Sequence, residues 1–376
     1  MNYHNVPTDY SAYRPAGYPV RHKEKVPFDP KLRMNPKYRE IMRKIRDLDN
    51  SLGEMVLSCD DYLDLVNDAY SSNIHWSVKI EGNELPLEEV FRLTTLFTSK
   101  QYKEGSPGGP KQEILNHLYS YLMKPDFQLP WSLFTMKDVH SLLLGKTGAN
   151  CPIGEFRTEP GNVVGPPDNF EYFITCPPGS IEKEMNSLLE WLAASPYDEI
   201  ITAALFFHEF ESIHPFQDGN GRTGRTLFQI LLQELGLKNS KLCKFEQKLL
   251  DPKETYYTLL AYTDATGDYG PFIMYVAESL LSAYEEAFAA FEKKDLIKNM
   301  DESSKTIIKR AKKQSRFTIS DACRWVPGLG EQSIRNKLYD LIDIGLLEKV
   351  GKTRSTLFMF RDPFRDFVES RGSDDQ

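Results

Sequence analysis

The sequence predicts a mainly α-helical protein of more than one domain, with a small β-hairpin in its middle and a winged helix at its C-terminal end. Three observations carry that prediction. The chain has 376 residues, too many for one small core and enough for two domains or three. Its apolar residues recur at spacings of three and four from about residue 36 to 122 and again from about 180 to 295, the period of amphipathic helices. Between those stretches, residues 151–178 turn to Gly, Pro and β-branched residues, and the end of the chain carries a helix, a turn, a helix and two strand-like segments.

Taken in order, residues 1 to about 30 are rich in Tyr and Pro and free of any period, so they read as an extended arm. PKYREIMRKIRDLDNSLGEMV and DDYLDLVNDAYSSNIHWSVKI are helical in period, and the second stops at Gly82 and Asn83. LPLEEVFRLTTLFTSKQY and KQEILNHLYSYLM continue the pattern on either side of the GSPGGP at 105–110. NVVG and YFIT, around a PPDN turn, predict the hairpin. Helical period returns in SIEKEMNSLLEWLAAS, YDEIITAALFFHEFESI, RTGRTLFQILLQELGL, ETYYTLLAYTDATGD and PFIMYVAESLLSAYEEAFAAFEKKD. No repeat of solenoid period occurs. After the charged stretch KNMDESSKTIIKRAKKQSR, the segments FTISDACRWV, PGLG, EQSIRNKLYDLIDIGLL and EKVGKTRSTLFMF predict the winged helix. The expected division is 1–55 for the arm and first helix, 56–298 for the main helical domain, and 299–376 for the winged-helix-like domain.

Hydrophobic residues at 40% and charged residues at 27% describe an ordinary globular chain. No run approaches the roughly 18 apolar residues of a spanning helix, and the opening MNYHNVPTDYSAYRP lacks the cationic start and apolar core of a secretory signal. A cytoplasmic protein without a membrane partner is expected. Five scattered cysteines without a CxxC pair argue against a disulfide framework or structural zinc. The net charge of −8 is uneven: residues 51–300 carry −16, while the two ends carry +5 and +3. An anion bound in the middle region therefore needs a local basic pocket.

The sharpest feature is HPFQDGNGRTGR at 214–225. Gly219, Gly221 and Gly224 spell GxGxxG, but a dinucleotide fold needs a strand before them, and FFHEFESI is helical. A phosphate loop of the Walker type fails for want of Lys-Ser/Thr, and HEFES at 208–212 lacks the second His of a zinc protease. What remains is a glycine loop feeding a helix that starts near Arg222. Glycines let backbone N–H groups close around phosphate oxygens, and the helix N-terminus adds its positive end. Arg222 and Arg225, three apart, share a helix face and suit further phosphate oxygens. Asp218 is an unpaired anion beside phosphates unless a divalent cation bridges them, and Mg²⁺ is the natural bridge. His214 is the one group in the loop that takes a proton near neutral pH. Singly, each residue reads as part of a plain helix–loop–helix corner; together they do not. Phe216 reads as the loop's apolar anchor.

These residues match, at every fixed position, the HxFx(D/E)GNGRxxR signature, and the chain resembles the Fic family of protein adenylyltransferases over roughly residues 70–295. EFRTEPGNVVGPP is similar to the family's flap, and TYYTLLAYTDATGDYGPFI to its nucleotide-side helix. The resemblance implies a Fic-type helical core that binds ATP with Mg²⁺ and transfers AMP to a Ser, Thr or Tyr hydroxyl of a target protein, releasing pyrophosphate. It implies His214 as general base, Asp218 as magnesium ligand, and Gly219, Asn220 and Gly221 as anion hole. Arg222 and Arg225 resemble the triphosphate-binding arginines, with Thr223 and Gly224 between them in the nucleotide-binding stretch. Val164, Gly165, Pro166 and Pro167 align with the flap edge, and Tyr256 and Tyr257 with the adenosine-side wall. One departure stands: relatives often place Asn before the Gly-Asp of that helix, where this chain has Thr266.

SVKIEGN at 77–83 draws notice by itself, because Glu81 sits at the last turn of a helix, where the dipole disfavours a carboxylate. The segment resembles the family's inhibitory motif (S/T)xxxE(G/N), built here on Ser77 and Glu81 within the domain at 56–298. The resemblance implies that Glu81 pairs with Arg225 and withdraws it from the γ-phosphate. An ion pair about 4 Å apart at an effective dielectric near 20 is worth on the order of 4 kcal/mol before desolvation, enough for a switch. The expected protein is a self-inhibited AMP transferase. Alternatives stand beside it: a de-adenylylating hydrolase or a transferase using another nucleotide or phosphate diester, and a nucleotide-sensing DNA-binding regulator whose phosphate contacts are Arg335, Lys337, Lys349, Lys352 and Arg354. The acids Asp340, Asp343 and Glu348 favour a solvated face for those five, and the C-terminal domain equally suits target docking or a homodimer.

Overall fold

The computed structural model describes residues 8–99, 101–102, 105–122, 127–165, 170–350 and 356–361. In chain order the elements are β1 (Val20–Arg21), α1 (Lys37–Glu54), α2 (Cys59–Lys79), α3 (Leu87–Thr98), α4 (Gly109–Leu122), α5 (Leu133–Leu144), β2 (Asn162–Gly165), β3 (Phe170–Ile174) and α6 (Ile181–Ala193). They continue with α7 (Glu199–Ile213), α8 (Asn220–Glu234), α9 (Phe245–Leu250), α10 (Lys253–Thr266), α11 (Gly270–Lys294), α12 (Glu302–Ala311), β4 (Phe317–Thr318), α13 (Ile319–Trp325), α14 (Glu331–Asp343), β5 (Leu347–Val350) and β6 (Leu357–Phe360). The chain is mainly helical, as its period predicts. Among the described residues no helix is long and apolar enough to cross a membrane. Two units separate by their internal contacts, residues 1–49 with 68–287 and residues 50–67 with 288–376.

The first unit is built on α7 and α8. The sequence EIITAALFFHEFESI is apolar nearly all round, and a helix of that kind is stable only when covered on every side. Within α7 every residue but Glu199 and Glu211 is buried. Asp198 caps its start by accepting from the Ile201 N–H. Gly224 of α8 allows the close approach of the two helices. A Cβ there would lie 2.3 Å from Glu211 Oε1 and 3.2 Å from the Phe207 ring. Helix α5 is absent from the helical segments expected above. Its start is marked by the Ser132 N–H donating to Thr135 Oγ1, and Met136, Val139 and Leu143 bury one stripe.

The hairpin forms as expected, with Val163 opposite Phe173 and a register shift between Val163 and Val164. The PPDN turn at 166–169, which contains Pro166 and Pro167, lies outside the described residues. The arm is more ordered than an extended tail. Val20 and Arg21 pair in parallel with Phe173 and Ile174, so the sheet order is β1–β3–β2 and the far edge of β2 is open among the described residues.

A buried polar chain fixes the arm behind the sheet. His22 Nδ1 lies 2.8 Å from Ser212 Oγ and Nε2 2.8 Å from Glu184 Oε2, while the Cys176 thiol donates to Glu184 Oε1 at 3.0 Å. Ser212 donates to Asp264 at 2.7 Å, and Lys25 Nζ reaches Glu209 at 2.8 Å. The His22, Cys176 and Glu184 atoms converge within 4.8 Å, a donor set of metal-binding type, and they satisfy one another as hydrogen bonds.

In the second unit, α12, α13 and α14 cover a sheet of order β4–β6–β5. Ile307, Ile308, Phe317, Ile334, Leu338 and Phe358 form its core. Asp301 caps α12, and a reciprocal Thr318–Asp321 box opens α13. Arg335 is paired with Glu331 at 2.9 Å and Lys337 with Asp301 at 2.8 Å, and Lys349 lies over the Tyr339 ring at 4.7 Å. Lys352 and Arg354 lie outside the described residues.

Candidate active site

The segment 214–225 occupies the turn from α7 into α8. His214 ends α7 in the left-handed region at φ 53°, its N–H donating to the Phe210 carbonyl at 2.9 Å. Gly219, at φ 78°, is the N-cap of α8, which begins at Asn220, two residues before the expected start. Only glycine fits at 219, since a Cβ there would stand 2.6 Å from Leu144 Cδ1. Between these points Phe216 is fully buried and stacks on His140 at 3.9 Å, the anchor the sequence suggests. The Asn220 side chain clamps Phe216 from both directions. Its Oδ1 accepts from the Phe216 N–H and its Nδ2 donates to the Phe216 carbonyl, each at 2.8 Å.

Arg157 holds the loop from the other side. Its Nε donates to the His214 carbonyl at 2.7 Å, and another guanidinium nitrogen donates to the Ile213 carbonyl at 3.2 Å. A buried cation is thereby set against the negative end of α7. This contribution escaped the sequence reading, although Arg157 lies within EFRTEPGNVVGPP.

The loop frames a cavity of about 430 Å³. His214, the stretch Asp218–Gly221, Arg225, Tyr256, Tyr257 and Glu81 all face it, as do Asn162 and Val163 of the hairpin. His214 Nδ1 lies 3.2 Å from the Glu211 carbonyl, which can only accept, so Nδ1 carries the proton and Nε2 is left with a lone pair. Burial lowers the His214 pKa to about 4, keeping the imidazole neutral at ordinary pH. Beside it, the N–H groups of Asn220, Gly221 and Arg222 open α8 and have no acceptor within the helix. Lone pair and free donors therefore meet in one cavity, an arrangement suited to a phosphate beside an attacking hydroxyl.

Arg225 is buried and held on three sides. Its Nε donates to Ser77 Oγ at 2.9 Å, and one terminal nitrogen donates to the Ser77 carbonyl and to Glu81 Oε1, both at 2.8 Å. Glu246 Oε2 stands 3.5 Å from Nε. Burial alone would lower the arginine's pKa, but Glu81 and Glu246 hold it above its ordinary value. Room for the Glu81 carboxylate comes from Gly221, where a Cβ would sit 2.3 Å from Glu81 Oε1. Both residues of the SVKIEGN motif thus reach Arg225.

Other expected residues fall elsewhere. Arg222 does not line the cavity, since its guanidinium is paired with Glu113 and, at 3.0 Å, with Asp218. Thr223 is buried, and Gly224 serves the contact with α7. Val164 and Gly165 take backbone positions in β2, opposite Glu171 and Phe170. Tyr256 is 1% exposed, and its hydroxyl has no hydrogen-bond partner. The Asp218 carboxylate is about half exposed at the cavity rim, the hard oxygen donor that Mg²⁺ prefers.

Residues 130–232 match the model of the Fic/DOC family. A protein of Aedes aegypti named Protein adenylyltransferase Fic is 28% identical over 223 residues, covering 56% of this chain and 40% of that protein. One of the same name from Nematostella vectensis is 27% identical over 228 residues, covering 58% and 49%. The chain thus spans less than half the length of these curated relatives. A solved Fic family protein from Desulfovibrio desulfuricans superposes with a TM-score of 0.60 at 22% identity, covering 89% of this chain and 98% of the other, which establishes the fold.

Proposed function

From the Fic domain that this chain carries, we propose a self-inhibited protein adenylyltransferase that moves AMP from ATP to a hydroxyl of a target protein. The observation that carries this reading is the His214 lone pair facing the cavity beside the free N–H groups of α8. His214 Nε2 takes the proton of the target hydroxyl, whose oxygen forms a bond to the α-phosphorus as the bond to the β-phosphate oxygen breaks and pyrophosphate leaves. The N–H groups of Asn220 and Gly221 hold the oxygens on which charge develops, while that of Gly219, the third expected donor, is already given to Asp218 Oδ1 at 2.6 Å. Asp218 would hold Mg²⁺, which when bound neutralises phosphate charge. Tyr256 and Tyr257 wall the nucleoside end. Arg222, tied to Glu113 and Asp218, acts in this reading through Asp218, while Arg225 is the arginine free to grip phosphate once Glu81 leaves.

The test is which phosphate is transferred. With Mg²⁺ and ATP labelled at the α-position, label should appear on protein and be found by mass spectrometry as AMP on Ser, Thr or Tyr. Label arriving only from the γ-position would overturn the reading.

The target segment docks on the hairpin as an added strand. With β3 flanked by β1 and β2, the hairpin's own open edge among the described residues is that of β2. Proline substitutions along 162–165 should lower target modification by about tenfold or more, because each removes a ladder donor. Unchanged modification by folded variants, with folding checked by circular dichroism, would rule out this docking mode. For the segment 299–376 we favour a winged helix that docks targets over one that grips DNA, since Arg335 and Lys337 are already matched by acids.

A further inference from the structure

Helix α8 has two niches where a side chain is missing, and a carboxyl oxygen fills each. The one over Gly221 holds Glu81 Oε1, which is bonded to Arg225. The one over Gly224 holds Glu211 Oε1, 2.3 Å from where a Cβ would be. Their bonding differs sharply. Glu211 lines the cavity, but its Oε1 is buried and has no hydrogen-bond partner. A buried carboxyl oxygen left unpaired costs about 1–3 kcal/mol, so its placement wants a partner that arrives later.

We propose that Glu211 is a nucleotide-binding residue, donating a hydrogen bond as the neutral acid to the polyphosphate that Arg225 takes up once Glu81 withdraws. The inference rests on the adenylyltransferase reading and adds a phosphate-binding group from α7 to the arginine of α8. A phosphate oxygen only accepts, so an ionised carboxylate here would repel it, whereas a carboxylic acid supplies the missing donor. The groups facing Glu211 are Arg225 from α8, Glu81 from the turn after α2, and Tyr256 and Tyr257 from α10, with His214 on its own stretch and Glu246 of α9 behind the arginine. Burial raises the Glu211 pKa to about 8 against the downward pull of Arg225, so the proton is in place at neutral pH. Exchanging Glu81 for a polyphosphate replaces one negative charge by several, which holds that proton more firmly. Nucleotide binding is then linked to protonation of Glu211, and affinity falls as pH rises through about 8.

The experiment measures the Kd of ATP, with Mg²⁺ constant, by calorimetry from pH 6 to 9.5 in the Glu81→Gly background. Loss of Glu81 removes one of the charges that raise the Glu211 pKa, so in this background affinity should be level at the acid end and weaken by up to about tenfold per pH unit from a point below pH 8. Glu211→Gln, whose amide donates at every pH, should bind with a level profile throughout. Glu211→Leu should bind about tenfold more weakly at neutral pH. AMP, lacking the β- and γ-phosphates, should show no alkaline loss with either acid or amide. The same alkaline loss in Glu211→Gln as in its parent would overturn the proposal and leave the adenylyltransferase reading standing. No ATP binding by the Glu81→Gly parent at any pH would overturn both.

Discussion

Glu81→Gly should raise AMP labelling of protein by on the order of a hundredfold over the unsubstituted chain, a change of about 2.7 kcal/mol in the barrier. Glu81 now holds the terminal nitrogen of Arg225 at 2.8 Å, the donor that the proposed mechanism gives to the γ-phosphate. Its side chain is 28% exposed and the guanidinium 2%, so the pair is shielded enough to compete with a phosphate yet open enough on one side to be displaced. With the carboxylate gone, Arg225 keeps Ser77 and Glu246, so the buried cation is not stranded and the thermal midpoint should fall by only a few degrees. The control is Glu81→Gly with Arg225→Ala. If the arginine is what the glutamate withholds, the double variant returns to background. Equal labelling by the unsubstituted chain and Glu81→Gly would end the brake hypothesis in favour of a constitutive or hydrolytic enzyme.

His214→Ala, placed in that activated background, should lower transfer by about 10²–10⁴-fold while leaving the Kd of ATP nearly unchanged. In the proposed mechanism the base acts on the incoming hydroxyl, and the α8 N–H groups that would hold phosphate do not depend on it. The acid limb of the rate should also move. With the His214 pKa at about 4, an intact enzyme keeps its base unprotonated down to that pH and loses rate only as pH falls through it, not near 6.5. Retained transfer after His214→Ala, or an acid limb centred near 6.5, would remove His214 from this role.

Much of the site was legible because its parts are local. His214, Asp218, the three glycines and Arg225 lie within twelve residues, and the turn from α7 to α8 brings most of them to one cavity. Residues whose partners are distant in sequence could not be read in the same way. Arg222 shares a helix face with Arg225 by spacing, but Glu113 of α4 claims it. Glu211 stands three residues before His214, one helical turn away, and that spacing was available as a signal; the Gly224 niche that gives it meaning was not. Among helices, α5 was missed because its stripe is short and neutral and α12 because its few apolar residues lie in a charged stretch, while α7 was plain because it is apolar nearly all round. The arm carries no period at all. A two-residue parallel strand leaves almost no pattern, and its ladder partner lies about 150 residues further on.

That parallel pairing fixes an order of events during synthesis. Val20 is made well before Phe173, the residue it lies beside, with about 150 residues added in between. At the usual elongation rate this is a wait of about 8–30 s. Throughout it, Val20 and Phe28, both buried in the finished protein, have no completed surface to cover them. The arm is thus made before its seat and seated after it, and His22 and Lys25 arrive as a latch on helices α6, α7 and α10 that must already be in place. A nascent chain halted before residue 170 would carry neither the latch's receiver nor the loop at 214–225, so under the proposed function a truncated product is inert instead of an unbraked enzyme.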